Sequence, residues 1–268
     1  MIHEVQVDDK TSIQVEERGE GKPLVLLHGW PLNKNMFKWQ LEELSARGFR
    51  VYAIDLRGFG DSDKPHMNYT YNVFAEDVKK VIDELEIEGY YLAGFSMGGA
   101  AAIRHAAKFA DERLEKLVLI GAAAPSFTQR QGYTLGQDRD QVDELIKNMQ
   151  SDREATLKEF QSMFFYQDVA QDVKDSLISM GSQASEYAMV SSGEELRDAD
   201  LRDEMGEIHV PVTILHGRHD NICEFAFAEE MERMIPTADL VPFEESGHGI
   251  YYEEKQKVNE EIVKLLKQ

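Results

Sequence analysis

Gly94-Phe95-Ser96-Met97-Gly98 stands between an apolar run, Tyr90 to Ala93, and an alanine-rich segment that opens with Gly99-Ala100-Ala101. A serine held between glycines at this spacing fits a sharp strand-to-helix turn that lifts its hydroxyl clear of a sheet. Glycine is needed on both sides because side chains there would collide with the neighbouring strand and helix. Five residues alone are weak evidence. With Gly and Ser each near ~7% of residues, roughly one chain of this length in ten shows such a match by accident. A neutral alcohol is also a poor nucleophile, so Ser96 needs a base, an acid to orient that base, and donors for a developing oxyanion.

The elements that would position those groups are short, continuous apolar runs: Pro23 to Leu27, Val51 to Ile54, Tyr90 to Ala93, Lys116 to Ile120 and Val212 to Leu215. Such runs suit strands buried on both faces of a parallel sheet. Between them lie segments with apolar spacing near 3.6: Met36 to Ala46, Tyr71 to Leu85, Met97 to Phe109, Glu224 to Met234 and Tyr252 to Leu266. Strand alternating with helix predicts right-handed crossovers and a helix-covered sheet. Ahead of them, His3 to Val7 and Ser12 to Arg18 alternate apolar and polar around Asp8-Asp9-Lys10, as a half-exposed hairpin does. One stretch breaks the alternation. Ser126 to Met205 carries helical patterns (Gln141 to Met149, Glu154 to Phe165, Val169 to Met180) and no convincing strand. The expected organisation is a core from residues 1–125 and 206–268 with a helical cap inserted at 126–205.

In an open parallel sheet, reactive groups sit where strands end and loops leave for helices. After Leu27 comes His28-Gly29-Trp30-Pro31; after Ala93, Gly94-Phe95-Ser96; after Leu215, His216-Gly217-Arg218-His219-Asp220; after Phe243, Glu244-Glu245-Ser246-Gly247-His248. Serine, acid and histidine thus follow sheet strands in the order Ser, Asp, His, which is the order of the α/β-hydrolase fold. The chain resembles that superfamily over essentially its whole length. His28-Gly29-Trp30-Pro31, Arg57-Gly58-Phe59-Gly60-Asp61-Ser62 and Gly94 to Gly99 resemble its arylesterase and cofactor-free haloperoxidase (perhydrolase) branch. The insertion carries no motif of that branch.

Each residue has a chemical reason for its place. Ser96 is the expected nucleophile and His248 the base, presented between Gly247 and Gly249. Asp220, in a chain rich in other carboxylates, would hold the second ring nitrogen and stabilise the imidazolium. The resemblance implies that the oxyanion hole is made by the backbone N–H groups of Met97 and Trp30. Pro31 has no N–H to offer. His28 is expected to brace that loop, not to act as a base, and Arg57 to Asp63 to form a supporting turn. Trp30, Phe95 and Met97 are expected to line an acyl pocket, with Phe164 and Phe165 of the insertion on its other side. Cys223 reads as a buried, inert thiol.

The implied reaction is hydrolysis of uncharged carboxylic esters with small acyl groups through an acyl-serine, with peroxide able to replace water. A carbon–carbon bond hydrolase or lactonase on the same triad, and a slow-turnover signalling receptor, are the alternatives. Families similar to haloalkane dehalogenase or epoxide hydrolase would place an aspartate at Ser96. No cofactor is expected, and His216, His219 and Asp220 lack a recognised metal-ligand spacing. A net charge of −21 opposes nucleic acid and anionic membrane as partners, leaving a small-molecule ester. One cysteine and an N-terminus without a basic-then-apolar stretch predict a cytoplasmic protein. Composition leaves the oligomeric state open.

Overall fold

Uninterrupted apolar runs have no solvent face to spare, so they pair with one another in the middle of a sheet. The computed structural model describes residues 1–67 and 69–267. Among these residues eight strands form one sheet: β1 (Ile2–Asp8), β2 (Thr11–Arg18), β3 (Lys22–Leu27), β4 (Phe49–Ile54), β5 (Tyr90–Phe95), β6 (Leu114–Ile120), β7 (Val212–Gly217) and β8 (Ala238–Phe243). Their order is β1-β2-β4-β3-β5-β6-β7-β8. The hairpin β1–β2 joins β4 antiparallel, and every pair from β4 to β8 is parallel. β5 is buried at all six positions, whereas β2 alternates buried and half-buried residues as a strand with one wet face must.

Among the described residues there are ten α-helices, in chain order α1 (Lys38–Ser45), α2 (Tyr71–Glu84), α3 (Met97–Lys108), α4 (Arg139–Ser151), α5 (Arg153–Ser162), α6 (Gln171–Gln183), α7 (Glu186–Asp198), α8 (Phe225–Met234), α9 (Ile250–Glu253) and α10 (Lys255–Lys264). α1 packs with α9 and α10, and α2 packs with α3, so the sheet is covered on both faces. The four helices α4 to α7 lie between β6 and β7, where the sequence predicts a helical cap.

The cap differs from its sequence expectation in two places. The helix expected to reach Phe165 stops at Ser162. Beyond it the backbone turns to bond the loop carrying His248: the Gly249 N–H donates to the Phe164 carbonyl at 2.9 Å. The Glu253 carboxylate accepts from the N–H groups of Tyr166 and Gln167, each at 2.7 Å. The second difference is α7, for which no apolar period exists. Its buried positions are Ala188, Met189, Ser192, Gly193 and Leu196, mostly small side chains that read as surface.

Three of the buried histidines, His28, His105 and His216, are held neutral by their surroundings. Burial lowers the pKa of His28 and His216 from the usual 6.5 and takes that of His105 to about 4. A histidine harder to protonate folded than unfolded stabilises the protein above the unfolded pKa. That stability is lost as pH falls toward the folded value. For His105 alone the loss is about 2 kcal/mol by pH 5, and the other two act in the same direction. The urea midpoint is therefore expected to fall steeply between pH 6.5 and pH 4. A midpoint flat across that window would contradict neutral burial of these rings.

Candidate active site

Ser96 joins β5 to α3 with φ +54° and ψ −118°, a left-handed conformation that costs a residue with a Cβ energy. The surroundings hold it there. Its N–H donates to the Ile120 carbonyl at 3.0 Å, and its carbonyl accepts from Gly99, Ala100 and Ala123. The flanking glycines are sterically required: a Cβ on Gly98 would lie 2.4 Å from the Leu27 carbonyl oxygen, and one on Gly94 2.2 Å from that of Gly98. The turn therefore fits only against the end of β3.

His248 and Asp220 are both buried, and the His248 Nδ1 lies 2.7 Å from Asp220 Oδ2. The other carboxylate oxygen, Oδ1, accepts from the N–H groups of Ile222 and Cys223, each at 2.8 Å. An ionised carboxylate can only accept, so Nδ1 donates the proton of this bond, and in the neutral ring Nε2 is then the nitrogen that keeps its lone pair. His216 supports the same loop by donating from Nε2 to the Cys223 carbonyl at 2.7 Å. The Cys223 N–H and the His248 ring thus meet on the one Asp220 carboxylate. The Cys223 thiol is buried, and that burial, with Asp220 adding to it, pushes it well above its usual pKa and favours the protonated form. Cys223, Asp220 and His248 therefore form one cluster. Among the described residues Ser96 and His248 share no hydrogen bond, and serine–base contacts often tighten only once substrate is bound.

The glycines beside His248 have a different role from the one the sequence implied. They clear space for the cap, and their Cβ atoms would not face the serine. A Cβ on Gly247 would meet the Tyr166 nitrogen at 2.8 Å, and one on Gly249 the Phe165 ring at 2.3 Å. Glu253 completes this joint by accepting from the Gly247 N–H at 2.9 Å while holding Tyr166 and Gln167. Nothing in the spacing of Glu253 marks it, and sequence reasoning missed it.

On the opposite side, neither the Trp30 nor the Met97 N–H donates to a protein acceptor among the described residues. Met97 is the first residue of α3, where helix N–H groups are unpaired and the helix end is partially positive. The Trp30 loop is fixed by His28, whose Nδ1 donates to the Gly29 carbonyl at 3.0 Å and whose Nε2 accepts from the Leu56 N–H at 3.0 Å. With both nitrogens engaged, His28 braces the loop as anticipated. Asp55 ties the same loop down, accepting from the Lys34 N–H at 2.7 Å, Lys34 Nζ at 2.6 Å and the Asp61 N–H at 2.8 Å. Arg57 turns away from this network to a buried pairing with Asp77 on α2. The Trp30 indole reaches the cap, donating to the Met189 carbonyl of α7 at 2.9 Å.

The residues expected to form a pocket are more enclosed than the sequence implied. Phe95 lies behind the His248 imidazole at 4.7 Å between ring centroids, and Phe164 meets its edge at 5.0 Å. Trp30 and Met97 are buried beside Ser96, while half-buried Phe165 packs outward on Tyr252. A cavity of about 490 Å³ lies one layer further out, walled by Phe127, Phe160 and Ile222 and by none of the five expected residues. Phe160 and Ile222 carried no signal in the sequence because single apolar residues in a helix and a loop look like packing.

Known proteins share this fold. The chain is 45% identical over 265 residues to an AB hydrolase superfamily protein, YisY, of Bacillus subtilis (strain 168), covering 99% of each. An esterase from Exiguobacterium antarcticum superposes with a TM-score of 0.97 at 41% identity, covering both chains completely. A bromoperoxidase from Bacillus anthracis superposes with a TM-score of 0.96 at 28% identity, again over both whole chains. A family model described as the alpha/beta hydrolase fold matches residues 22–255. The chain belongs to the α/β-hydrolase fold family, in the branch of esterases and cofactor-free haloperoxidases.

Proposed function

We propose that this protein hydrolyses uncharged carboxylic esters through an acyl-serine, with Ser96, His248 and Asp220 as its catalytic triad. The observation that carries this reading is the Asp220–His248 hydrogen bond of 2.7 Å beside a serine in left-handed conformation. The similarity to an esterase from Exiguobacterium antarcticum supports it. The Ser96 oxygen attacks the ester carbonyl as His248 Nε2 takes its proton, and Asp220 stabilises the resulting imidazolium. The tetrahedral oxyanion is held by the N–H groups of Met97 and Trp30. The imidazolium protonates the departing alcohol, and the same nitrogen then activates the water that cleaves the acyl-serine. Hydrogen peroxide in place of that water would give a peracid. The two donors are backbone groups fixed before substrate arrives, which is what makes such a site effective.

Aromatic rings close round the serine and imidazole, which favours short acyl groups. Rates on 4-nitrophenyl esters from acetyl to decanoyl are expected to peak at or below butanoyl, and peracid from acetate and peroxide to be detectable in the same preparation. A peak at decanoyl would overturn the small-acyl assignment. Turnover also separates an enzyme from a receptor built on the same triad, which would hydrolyse once and stay occupied.

The Trp30 indole bond to Met189 is expected to hold the Trp30 N–H in line. Trp30→Phe keeps a ring and removes that donor. A lost hydrogen bond of about 1 kcal/mol predicts roughly fivefold lower kcat, with KM for a small ester little changed. An unchanged kcat would show that the indole only fills space.

A further inference from the structure

The 490 Å³ cavity is bounded by α4, α5 and the loop after β7. Its inner wall backs directly onto the triad. The Ile222 N–H is bound to Asp220, and so is that of the next residue, Cys223. The Phe160 ring lies 5.6 Å from Trp30 and 5.9 Å from Phe164, which covers His248. The outer part carries two exposed carboxylates, Glu144 of α4 and Glu159 of α5, and no Lys, Arg or His lines the cavity. Of the nearby cations, Lys158 pairs with Glu154 and Arg139 with Asp198, while Lys147 of α4 forms no ion pair with Glu144 among the described residues.

We infer that this cavity is the vestibule by which substrate reaches Ser96, and that it selects neutral or cationic esters over anionic ones. The inference rests on the ester-hydrolase reading. An anion passing between two exposed carboxylates, neither held in an ion pair among the described residues, is repelled at short range in a wet, salt-screened space. The combined effect is about fivefold in kcat/KM at low salt, shrinking once the Debye length falls below the width of the mouth. A neutral ester meets no such barrier, and the side-chain amides at the rim, Gln141 and Asn148, can serve its polar atoms.

The test compares three aryl acetates of similar size, carrying a methyl, a trimethylammonio or a carboxylate substituent. Each rate is normalised to that ester's own hydroxide-catalysed hydrolysis, in 10 mM and in 500 mM NaCl. The anionic ester is expected to lag the neutral one about fivefold at low salt, with the gap closing at high salt. The double variant E144Q/E159Q should remove most of the gap and leave the neutral ester within twofold. A control pair, E88Q/E112Q, changes net charge equally at exposed positions before β5 and β6, at the far end of the sheet, and should leave the gap intact.

Ser96-dependent turnover of the neutral ester with no charge gap overturns the vestibule alone. So does a gap that survives in E144Q/E159Q, or one that closes equally in the control pair. No turnover of any ester, or turnover that survives Ser96→Ala, overturns the hydrolase reading and this inference with it.

Discussion

Ser96→Ala is expected to lower kcat on a short-chain nitrophenyl ester by several orders of magnitude, up to about 10⁶-fold by the precedent of serine hydrolases stripped of their nucleophile. The physical reason is that no second nucleophile stands in the cluster. Cys223 is bonded through its N–H to Asp220, but burial favours the protonated form of its thiol. A protonated thiol is a weak nucleophile, so it does not take over. Alanine removes one oxygen and leaves the left-handed backbone in place, so the melting temperature should move little. Steady-state kinetics on the purified variant, with a melt as control, checks both. Retained activity would show that the acyl group is carried elsewhere.

Asp220→Asn is expected to cost about 10⁴-fold in kcat with the fold intact. Asp220 uses its two oxygens differently: Oδ1 accepts from two backbone N–H groups, and Oδ2 faces His248 Nδ1. In asparagine the oxygen is held by the two N–H groups, so the NH₂ must turn to the imidazole. That reverses the tautomer: Nδ1 becomes the acceptor and Nε2 carries the proton. A protonated Nε2 cannot accept one from Ser96. The loss should appear in kcat and leave KM nearly unchanged, because the carboxylate does not touch substrate. A loss confined to KM would argue against the assigned role, and so would a loss that follows the melting temperature.

The sheet was legible because its strands are continuous apolar runs with chemistry waiting at their ends. Ser96, Asp220 and His248 could be singled out in this way, each within the few residues that follow a strand. The brace at His28 followed from the family resemblance instead. α7 could not be read, because it packs through what its side chains lack. The Cβ of Ala188 sits where any Cβ on Gly58 would be, 2.2 Å away, and Gly193 leaves room for Ile146. Hydrophobic periodicity detects large side chains and is blind to a helix that approaches through small ones. The cavity and the Glu253 joint were hidden for another reason. Both arise between segments far apart in the chain, Glu253 meeting Tyr166 and Gln167, and nothing local records such meetings.

Glu253 has a further consequence for how such a protein can change. One carboxylate spans the loop of the proposed base and the turn at residues 166–167, and Phe164 covers the imidazole. The part of the molecule that would choose the substrate is thus also part of the mounting of the base. Specificity and rate then share a joint, so the two are not modular. A chimera that imports a relative's α4–α7 segment to gain its substrates would also inherit, or lose, the seating of His248.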